Sequence, residues 1–411
     1  MALVKPFKAV KPHGDKIGLV SSKSYEAYTS AELGTKLAVN PYSFLHIISP
    51  DYKFDPKVSV EQRFKLVNNK YLEFKKNNVF IQDKTPHFYI YERIEATFTF
   101  CGIIAATSVE DYRNNVIKKH EGTLRKREQL FKEYLKITGF NAEPVLLTFK
   151  DDKTIAEIIA TEKETATAYE FSSDDKNLHK LWLVSDENSI RKISDAFAKI
   201  PSLYIADGHH RSASSALLAQ ELSENNKSHT GEETYNFFMS YLIPESQLQI
   251  AAYNRFVKDL NGLSTAEFLM KLGKFFKVKN HRKGVCLPTK KHHFTMYLNN
   301  EFYTLTLKKE SYNFTNALSR LDAEILYNTI LNPILGITDL TNTDRIGFVH
   351  QQKNSASLKN TIDKGVYKVG FGLLATNIDE MKEIADANLK MPPKTTYIQP
   401  KLRSGLTLYE F

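Results

Sequence analysis

An Asp-Gly turn followed by two histidines and an arginine, at residues 207–211, is the part of this sequence that most directly predicts chemistry. The apolar run at 203–206 favours a strand before the turn, and the small residues at 212–222 favour a helix after it. A chain that passes from strand to helix through glycine points its first backbone N–H groups at one spot, where the helix dipole favours an anion. The next three side chains add donors there. We therefore predict a phosphate-binding turn made by Gly208, His209, His210 and Arg211.

The acidic residue of this turn, Asp207, is a candidate catalytic residue and metal ligand. Mg²⁺ takes oxygen ligands and often binds together with phosphates, so we expect Mg²⁺ as a cofactor held in part by Asp207. Zinc is a weaker interpretation, because metal motifs on helices place their ligands three or four residues apart rather than side by side.

A second polar motif, His120-Glu121-Gly122-Thr123, precedes a charged helix predicted from Leu124 onward. In this motif Glu121 is a candidate base and Thr123 a candidate phosphate ligand. The alternative interpretation is structural, with Thr123 capping the helix and Glu121 lying near its positive end. The residue types alone leave both interpretations open.

The segment 391–401 carries three prolines and two lysines, Lys394 and Lys401. The prolines favour an extended chain, and the two lysines are placed to reach an anion. The alternative is a C-terminal tail that only straps the core.

The composition is that of an ordinary globular protein: 411 residues, 42% hydrophobic and 25% charged, long enough for two domains or more. Helical and strand patterns alternate irregularly, which predicts an α+β (mixed α/β) fold. The polar run 224–233 is the best boundary candidate. We predict an N-terminal region at 1–225 and a second α+β region at 226–411, whose extended tail returns to the core. Residues 40–48 are interpreted as a turn running into a strand.

The charge of the chain bears on its partners. A net charge of +9 and a pI near 9.1 raise the possibility of nucleic-acid binding, but the lysines are scattered rather than gathered into one arm or helix. Nucleic acid is therefore an unlikely partner. No apolar run reaches the length of a membrane span, no signal-peptide core is visible, and only two cysteines occur. These features predict a cytoplasmic protein with no membrane partner.

Four motifs together resemble a known family. They are His120–Thr123, residues 205–211, Asn40-Pro41-Tyr42-Ser43-Phe44-Leu45-His46, and the Pro-Pro-Lys-Thr-Thr-Tyr ending. In this order they are similar to the family catalogued as domain of unknown function 1015. The Asp-Gly-His-His-Arg motif also resembles the phosphate-binding signature of free-serine kinases in the ParB/sulfiredoxin superfamily.

The resemblance implies a ParB/sulfiredoxin-like catalytic core in the N-terminal half. It also implies a small-molecule kinase of serine metabolism, which transfers a phosphoryl group from pyrophosphate, or from ATP or ADP, to the hydroxyl of free L-serine. The product would be O-phosphoserine. The partners would be the phosphate donor and the free amino acid.

Residue roles follow from matching motifs. Glu121 would be the catalytic base, His120 would orient it or contact phosphate, and residues 207–211 would bind the donor. Where the family tends to show Pro-Thr-His-Arg, this chain has Ala252-Tyr253-Asn254-Arg255, so the arginine is retained and the histidine is missing. The remaining candidates for substrate binding are Asn40, Ser43, His46, Arg255 and Lys394.

Two other classes of function stay open. One is a ParB-like nucleotide-binding switch that acts on DNA or on a protein partner. The other is a non-catalytic protein that binds serine or a related amino acid. No Gly-x-x-x-x-Gly-Lys-Ser/Thr loop occurs, so the sequence does not choose among the phosphate donors.

Overall fold

The computed structural model describes residues 1–24, 27–48, 58–165, 167–350 and 356–411. The chain divides into two compact units. Unit 1 comprises Met1–Lys119, Thr123–Leu248 and Pro400–Phe411, and unit 2 comprises His120–Gly122 and Gln249–Gln399. Strands and helices occur in both units, which confirms the predicted α+β class.

The elements are numbered in chain order. The first part of the chain forms β1 (Val4–Lys5), β2 (Val10–Pro12), α1 (Ile17–Val20), α2 (Ser30–Val39), α3 (Leu45–Ile48), α4 (Val60–Lys76), β3 (Phe80–Gln82), β4 (Phe88–Ile94), β5 (Thr99–Ser108), α5 (Val109–Arg113), β6 (Ile117–Lys118), α6 (Arg125–Thr138), β7 (Phe140–Asn141), β8 (Val145–Phe149), α7 (Lys153–Glu162), β9 (Tyr169–Ser172), β10 (Leu178–Val184), α8 (Glu187–Lys199), β11 (Leu203–Asp207), α9 (His209–Asn225) and β12 (Phe237–Pro244).

The remaining elements are β13 (Gln249–Val257), α10 (Thr265–Phe275), β14 (Phe276–Arg282), β15 (His293–Leu298), β16 (Glu301–Leu307), α11 (Asp322–Leu326), β17 (Ile346–His350), α12 (Ala356–Ile362), β18 (Val369–Gly372), α13 (Ile378–Asp386), β19 (Thr396–Gln399) and β20 (Tyr409–Glu410). A turn of π-helix, Tyr327–Leu331, follows α11.

Unit 1 is built on a mixed sheet in which nine of the described strands pair. Its order is β6-β11-β8-β12-β5-β4-β10-β9, with β1 also paired to β5. The strand β11 runs parallel to β6 and antiparallel to β8, so both of its edges are held. The core of unit 1 contains Phe88, Ile103, Leu147, Trp182 and Phe197, each of which is 3% exposed or less.

Unit 2 is built on a second sheet, of order β14-β16-β15-β18-β13-β17, with β19 also paired to β13. Its core includes Phe268, Phe294, Leu326 and Phe371, which are fully buried. The helix α10 starts at a capping box in which Ser264 and Glu267 bond each other's backbone amides.

The division between the units lies later than the sequence predicts. The sequence places the boundary at 225/226, before the polar run 224–233, whereas the units divide between Leu248 and Gln249. The reason is β12, which follows the polar run and pairs with both β5 and β8 inside the first sheet.

The strand predicted at the end of residues 40–48 is wrong, because the structure has the short helix α3 there. The hydroxyl of Ser43 accepts a hydrogen bond from the Leu45 amide at 3.3 Å, which favours a helical start. A short apolar run cannot by itself distinguish a buried strand from a buried helix, and this one packs as helix.

Candidate phosphate-binding site

The turn at Gly208 has the geometry predicted for it. Gly208 follows β11 with φ +102° and ψ 27°, a left-handed conformation that L side chains rarely adopt. A Cβ at this position would stand 3.1 Å from Nε of Arg211. The backbone therefore favours glycine, and any larger residue would also make a tight contact with the Arg211 side chain.

The helix α9 begins at His209, three residues earlier than predicted. Its first intrahelical hydrogen bond runs from the Ser212 amide to the Gly208 carbonyl at 3.0 Å. The amides of residues 209–211 precede that bond, and the N-cap residue is a glycine that has no side-chain oxygen to offer them. Such a helix start favours an anion, through its amides and its dipole together.

The guanidinium of Arg211 lies over this turn and is held by three acceptors. Its Nη1 donates to the Pro144 carbonyl at 2.7 Å and to Oε2 of Glu143 at 3.3 Å, and its Nη2 donates to Oδ2 of Asp207 at 3.4 Å. The side chain is 29% exposed. The two carboxylates offset part of its charge and fix the guanidinium beside the start of α9.

A second cation reaches the turn from the C-terminal tail. The ammonium of Lys401 lies 3.4 Å from Oδ2 of Asp207, and the Lys401 carbonyl accepts from Nη1 of Arg93 at 2.6 Å. Next to it in the tail, the hydroxyl of Ser404 donates to Oε1 of Glu143. The tail is thus linked to Asp207 directly and to Arg211 through Glu143.

Glu143 and Ser404 were missed by sequence reasoning. Each lies far along the chain from residues 207–211, and neither stands in a motif. Lys401 was foreseen as a lysine able to reach an anion, but its partner was not.

The two histidines differ from the prediction that they enlarge the positive field. His209 is only 4% exposed. The Nε2 of His210 accepts a hydrogen bond from the Leu124 amide at 3.1 Å, so its ring proton lies on Nδ1. Burial, and then the charge of Arg127, lower the pKa of His210 below 6.5. At neutral pH His210 is therefore an uncharged acceptor at the start of α6.

Thr123 does not cap α6, which begins at Arg125 with Leu124 as its N-cap residue. Its hydroxyl donates to Oε1 of Glu128 instead. Thr123 still lies close to the turn, because the amide of the next residue, Leu124, donates to Nε2 of His210.

Asn40, Ser43 and His46 mainly hold their own loop. The side-chain amide of Asn40 donates to the Leu19 carbonyl at 2.7 Å, and Nε2 of His46 donates to the Asn40 carbonyl at 2.9 Å. Ser43 is 4% exposed. The loop nevertheless approaches the tail, since a Cβ at Gly405 would stand 2.8 Å from Phe44.

The other predicted site residues, His120, Glu121, Arg255 and Lys394, belong to unit 2. His120 is 1% exposed, and its carbonyl accepts from the Met391 amide at 2.8 Å. Arg255 is 2% exposed, and its Nη2 donates to the Lys394 carbonyl at 3.0 Å. Unit 2 therefore brings Arg255 and Lys394 together, as unit 1 does Asp207, Gly208 and Arg211.

The fit of Mg²⁺ depends on what else would ligate it. Asp207 supplies one carboxylate, which two cations already approach, and the described residues contain no group of three or more His, Cys, Asp or Glu placed to hold a metal. A resident Mg²⁺ does not fit this donor set. Mg²⁺ carried by the phosphates of a donor needs only one or two protein carboxylates, which Asp207 satisfies.

The fold is that of an α+β protein in which a strand of the first sheet leads through Gly208 into a helix. The model of the family described as Protein of unknown function (DUF1015) matches residues 4–324, and the chain belongs to that family. No curated protein matches the chain.

Several solved structures are similar at low identity. A mutant free serine kinase in complex with AMP is 12% identical with a TM-score of 0.38, over 73% of this chain and 88% of that one. A conserved hypothetical protein from Pyrococcus furiosus is 13% identical with a TM-score of 0.36, over 72% and 90%. C-terminally truncated SbnI from Staphylococcus aureus is 11% identical with a TM-score of 0.36, over 72% and 82%.

None of the described helices is both long enough and apolar enough to cross a membrane.

Proposed function

We propose that the protein transfers a phosphoryl group from pyrophosphate or a nucleotide to the hydroxyl of free L-serine. The observation that carries the phosphate part of this proposal is the turn at Gly208, where the amides of residues 209–211 precede the first intrahelical bond and Arg211 is folded over them. The choice of serine rests on the motif resemblance. Phosphoryl transfer asks a protein mainly for positioning and charge neutralisation, which such a turn supplies.

Each residue has a defined part in the proposed reaction. The amides of 209–211 and the guanidinium of Arg211 bind the transferred phosphate's oxygens, and Lys401 neutralises charge beside Asp207. Mg²⁺ bound to the donor would further neutralise the phosphate oxygens, with Asp207 as its protein ligand. Glu121 accepts the proton of the serine hydroxyl, with His120 orienting it.

The proposed step balances as follows. The serine hydroxyl oxygen forms a bond to the terminal phosphorus of the donor, and the bond from that phosphorus to the bridging oxygen breaks. The hydroxyl proton passes to Glu121. With pyrophosphate the products are O-phospho-L-serine and inorganic phosphate, and with ATP or ADP the second product is ADP or AMP.

The first experiment is a donor panel. The full chain is incubated with L-serine, Mg²⁺ and pyrophosphate, ATP or ADP in turn, and O-phosphoserine is measured by mass spectrometry. Phosphoserine from at least one donor supports the proposal. Its absence with all three contradicts the proposal, and tight nucleotide binding without phosphoserine would favour a switch instead.

The assignment of the base is tested by Glu121→Gln. Removal of a general base lowers the rate by about two to four orders of magnitude. We expect kcat to fall by that factor while donor affinity is kept. Glu110→Gln is the matched control, since its carboxylate lies on the surface of α5. A Glu121→Gln enzyme with the parental rate would show that another group takes the proton.

A further inference from the structure

Unit 2 buries an arginine, Arg255, that forms no ion pair with any acidic residue the structure describes. Arg255 lies on β13 between Phe348 of β17 and Phe371 of β18, and its side chain is among the largest that the fold buries fully. Within the described ranges, no carboxylate forms an ion pair with it. Its charge is influenced only by burial, which lowers the pKa of Arg255 to about 10, and by Tyr253. A buried charge is costly unless an opposite charge compensates it.

The hydrogen bonds of Arg255 go to neutral acceptors. Its Nη1 donates to the Tyr253 carbonyl and its Nη2 to the Lys394 carbonyl at 3.0 Å, and its guanidinium lies 5.5 Å from the centre of the Phe348 ring. These bonds use two of the five N–H groups that a guanidinium carries. They fix the direction of the side chain, and among the described residues no carboxylate compensates its positive charge.

Another arginine of unit 2, Arg345, has its charge balanced by a carboxylate. Arg345 donates to both oxygens of Asp259, from Nε at 3.0 Å and from Nη2 at 2.5 Å, although its side chain is 28% exposed. The more exposed arginine thus has a bidentate acid partner, whereas the more deeply buried one has none among the residues that the structure describes. An arginine kept for structure alone is expected to resemble Arg345.

The surroundings of Arg255 add a second cation and aromatic rings. Lys394 has a left-handed backbone, φ +56°, and its ammonium lies 5.7 Å from the centre of the Tyr253 ring. Opposite Tyr253 on the neighbouring strand, His350 stacks on Tyr397 with ring centres 4.3 Å apart. A non-glycine residue held at positive φ is typical of positions where function constrains the backbone.

We propose that Arg255 and Lys394 form an oxyanion-binding site of unit 2, which takes a phosphate or a carboxylate group. The missing negative charge is supplied by the ligand: the guanidinium binds two oxygens through its remaining N–H groups, and Lys394 provides the second charge. The choice of ligands rests on the proposed function, whereas the site itself is argued from residues of unit 2. Pyrophosphate and the carboxylate of L-serine are the two sources of such an oxyanion.

The test is hydrogen–deuterium exchange of the full chain, read in peptides that cover 249–257 and 392–399. Pyrophosphate and L-serine are titrated separately, with sodium chloride at matched ionic strength as the blank. Protection of these peptides by pyrophosphate identifies a phosphate site, and protection by L-serine identifies a carboxylate site. If neither ligand protects them, the proposal is overturned.

Substitutions test whether Arg255 and Lys394 are responsible for the protection. Arg255→Met is expected to lower the affinity for the ligand that protects these peptides by about tenfold or more, because it removes a charge-assisted hydrogen bond. Arg345→Met, which removes a paired arginine of the same unit, is expected to keep the wild-type affinity. Should Arg255→Met fail to fold, Lys394→Met answers the same question, because its side chain is exposed. Wild-type affinity in both Arg255→Met and Lys394→Met contradicts the proposal.

The exchange experiment can still be interpreted if no donor yields phosphoserine. Peptides covering 203–215 report the turn at Gly208, and phosphoserine formation reports the proposed reaction, so each can fail without the other.

Discussion

At the scale of single residues, position 208 is constrained both by the backbone conformation and by a neighbouring side chain. The backbone needs a left-handed conformation to pass from β11 into α9, and the guanidinium of Arg211 needs the space that a Cβ would take. The first demand concerns stability, and the second concerns the placement of the cation. Substitution at this one position should therefore affect both.

Gly208→Ala is expected to lower the free energy of unfolding by about 1–2 kcal/mol, the cost of a left-handed L residue. It should also weaken pyrophosphate binding, because the new Cβ would push the Arg211 guanidinium away from its position over the turn by a few tenths of an ångström. Gly139→Ala is the matched control, since Gly139 has φ +73° but only an ordinary contact, 4.0 Å to the Phe411 carbonyl. Denaturant unfolding and calorimetric titration measure the two effects. Equal pyrophosphate affinity in both variants would contradict this account of Arg211.

Asp322 makes the stability of unit 2 depend on pH. The carboxyl is 3% exposed, its Oδ1 accepts from the His292 amide at 2.9 Å, and burial raises the pKa of Asp322 from 3.8 to about 6. Because the folded pKa lies above the unfolded one, the contribution to stability is complete below pH 3.8 and is lost as the pH rises through 6.

Asp322→Asn should remove that dependence while keeping an acceptor for the His292 amide. The difference in unfolding free energy between variant and wild type is expected to change by about 2.4 kcal/mol between pH 4 and pH 7.5, in favour of the variant at the higher pH. Urea unfolding across this range measures it. A difference that stays constant with pH would show that Asp322 does not titrate there.

At this scale the sequence predicted the strand–turn–helix geometry around Gly208. Asp207, Gly208 and Arg211 are neighbours in the chain, so one strand–turn–helix pattern places all three. Glu143 and Ser404 could not be found in the same way, because the contact that brings them to Arg211 is set by the tertiary path of the tail.

At the scale of elements, two helix starts share one histidine. The Nε2 of His210, in the first turn of α9, accepts from the amide that begins α6. In the region the structure describes, the N-cap residue of α6 makes no side-chain capping bond, and His210 supplies one from another helix. The sequence-based interpretation of His210 as a donor at the turn considered α9 alone and did not anticipate its bond to the Leu124 amide.

His210→Ala is expected to destabilise the start of α6 by about 1 kcal/mol, as the loss of a capping acceptor does. Exchange of the amides at 124–128 should become faster, while the centre of α6 is unchanged. Since protonation removes the acceptor, acidification below the lowered pKa of His210 should have the same effect in the wild type and none in the variant. Unchanged exchange at 124–128 would exclude this role.

At the scale of the whole molecule, the last twelve residues return to unit 1. Leu408 is fully buried, and its backbone exchanges two hydrogen bonds with Val10, at 2.7 and 3.0 Å. The strand β20 pairs with β7. The tail that brings Lys401 and Ser404 to the turn is therefore anchored beyond them by its apolar residues.

Leu408→Ala is expected to lower the stability of unit 1 by about 2–5 kcal/mol, as for other fully buried leucines. Leu72→Ala is the control, since Leu72 is 52% exposed and its loss should cost less than about 1 kcal/mol. Exchange in the peptides of unit 2 should not change. Equal effects of the two substitutions would show that the tail is not held by Leu408.

Composition and periodicity predicted the α+β class, but they placed the boundary between the units earlier than it lies. The sequence marks a boundary by polarity, at 224–233, and cannot show that β12 beyond it completes the first sheet. A discontinuous unit, in which residues 120–122 belong with 249–399, leaves no local signal.

The central claim is that the turn at Gly208 binds the phosphate of a donor. A crystal structure of the full chain soaked with pyrophosphate tests it most directly. We expect a phosphate group within hydrogen-bond distance of the amides of residues 209–211, contacted by Arg211. Pyrophosphate bound elsewhere, with the turn at Gly208 empty at saturating concentration, would contradict the claim.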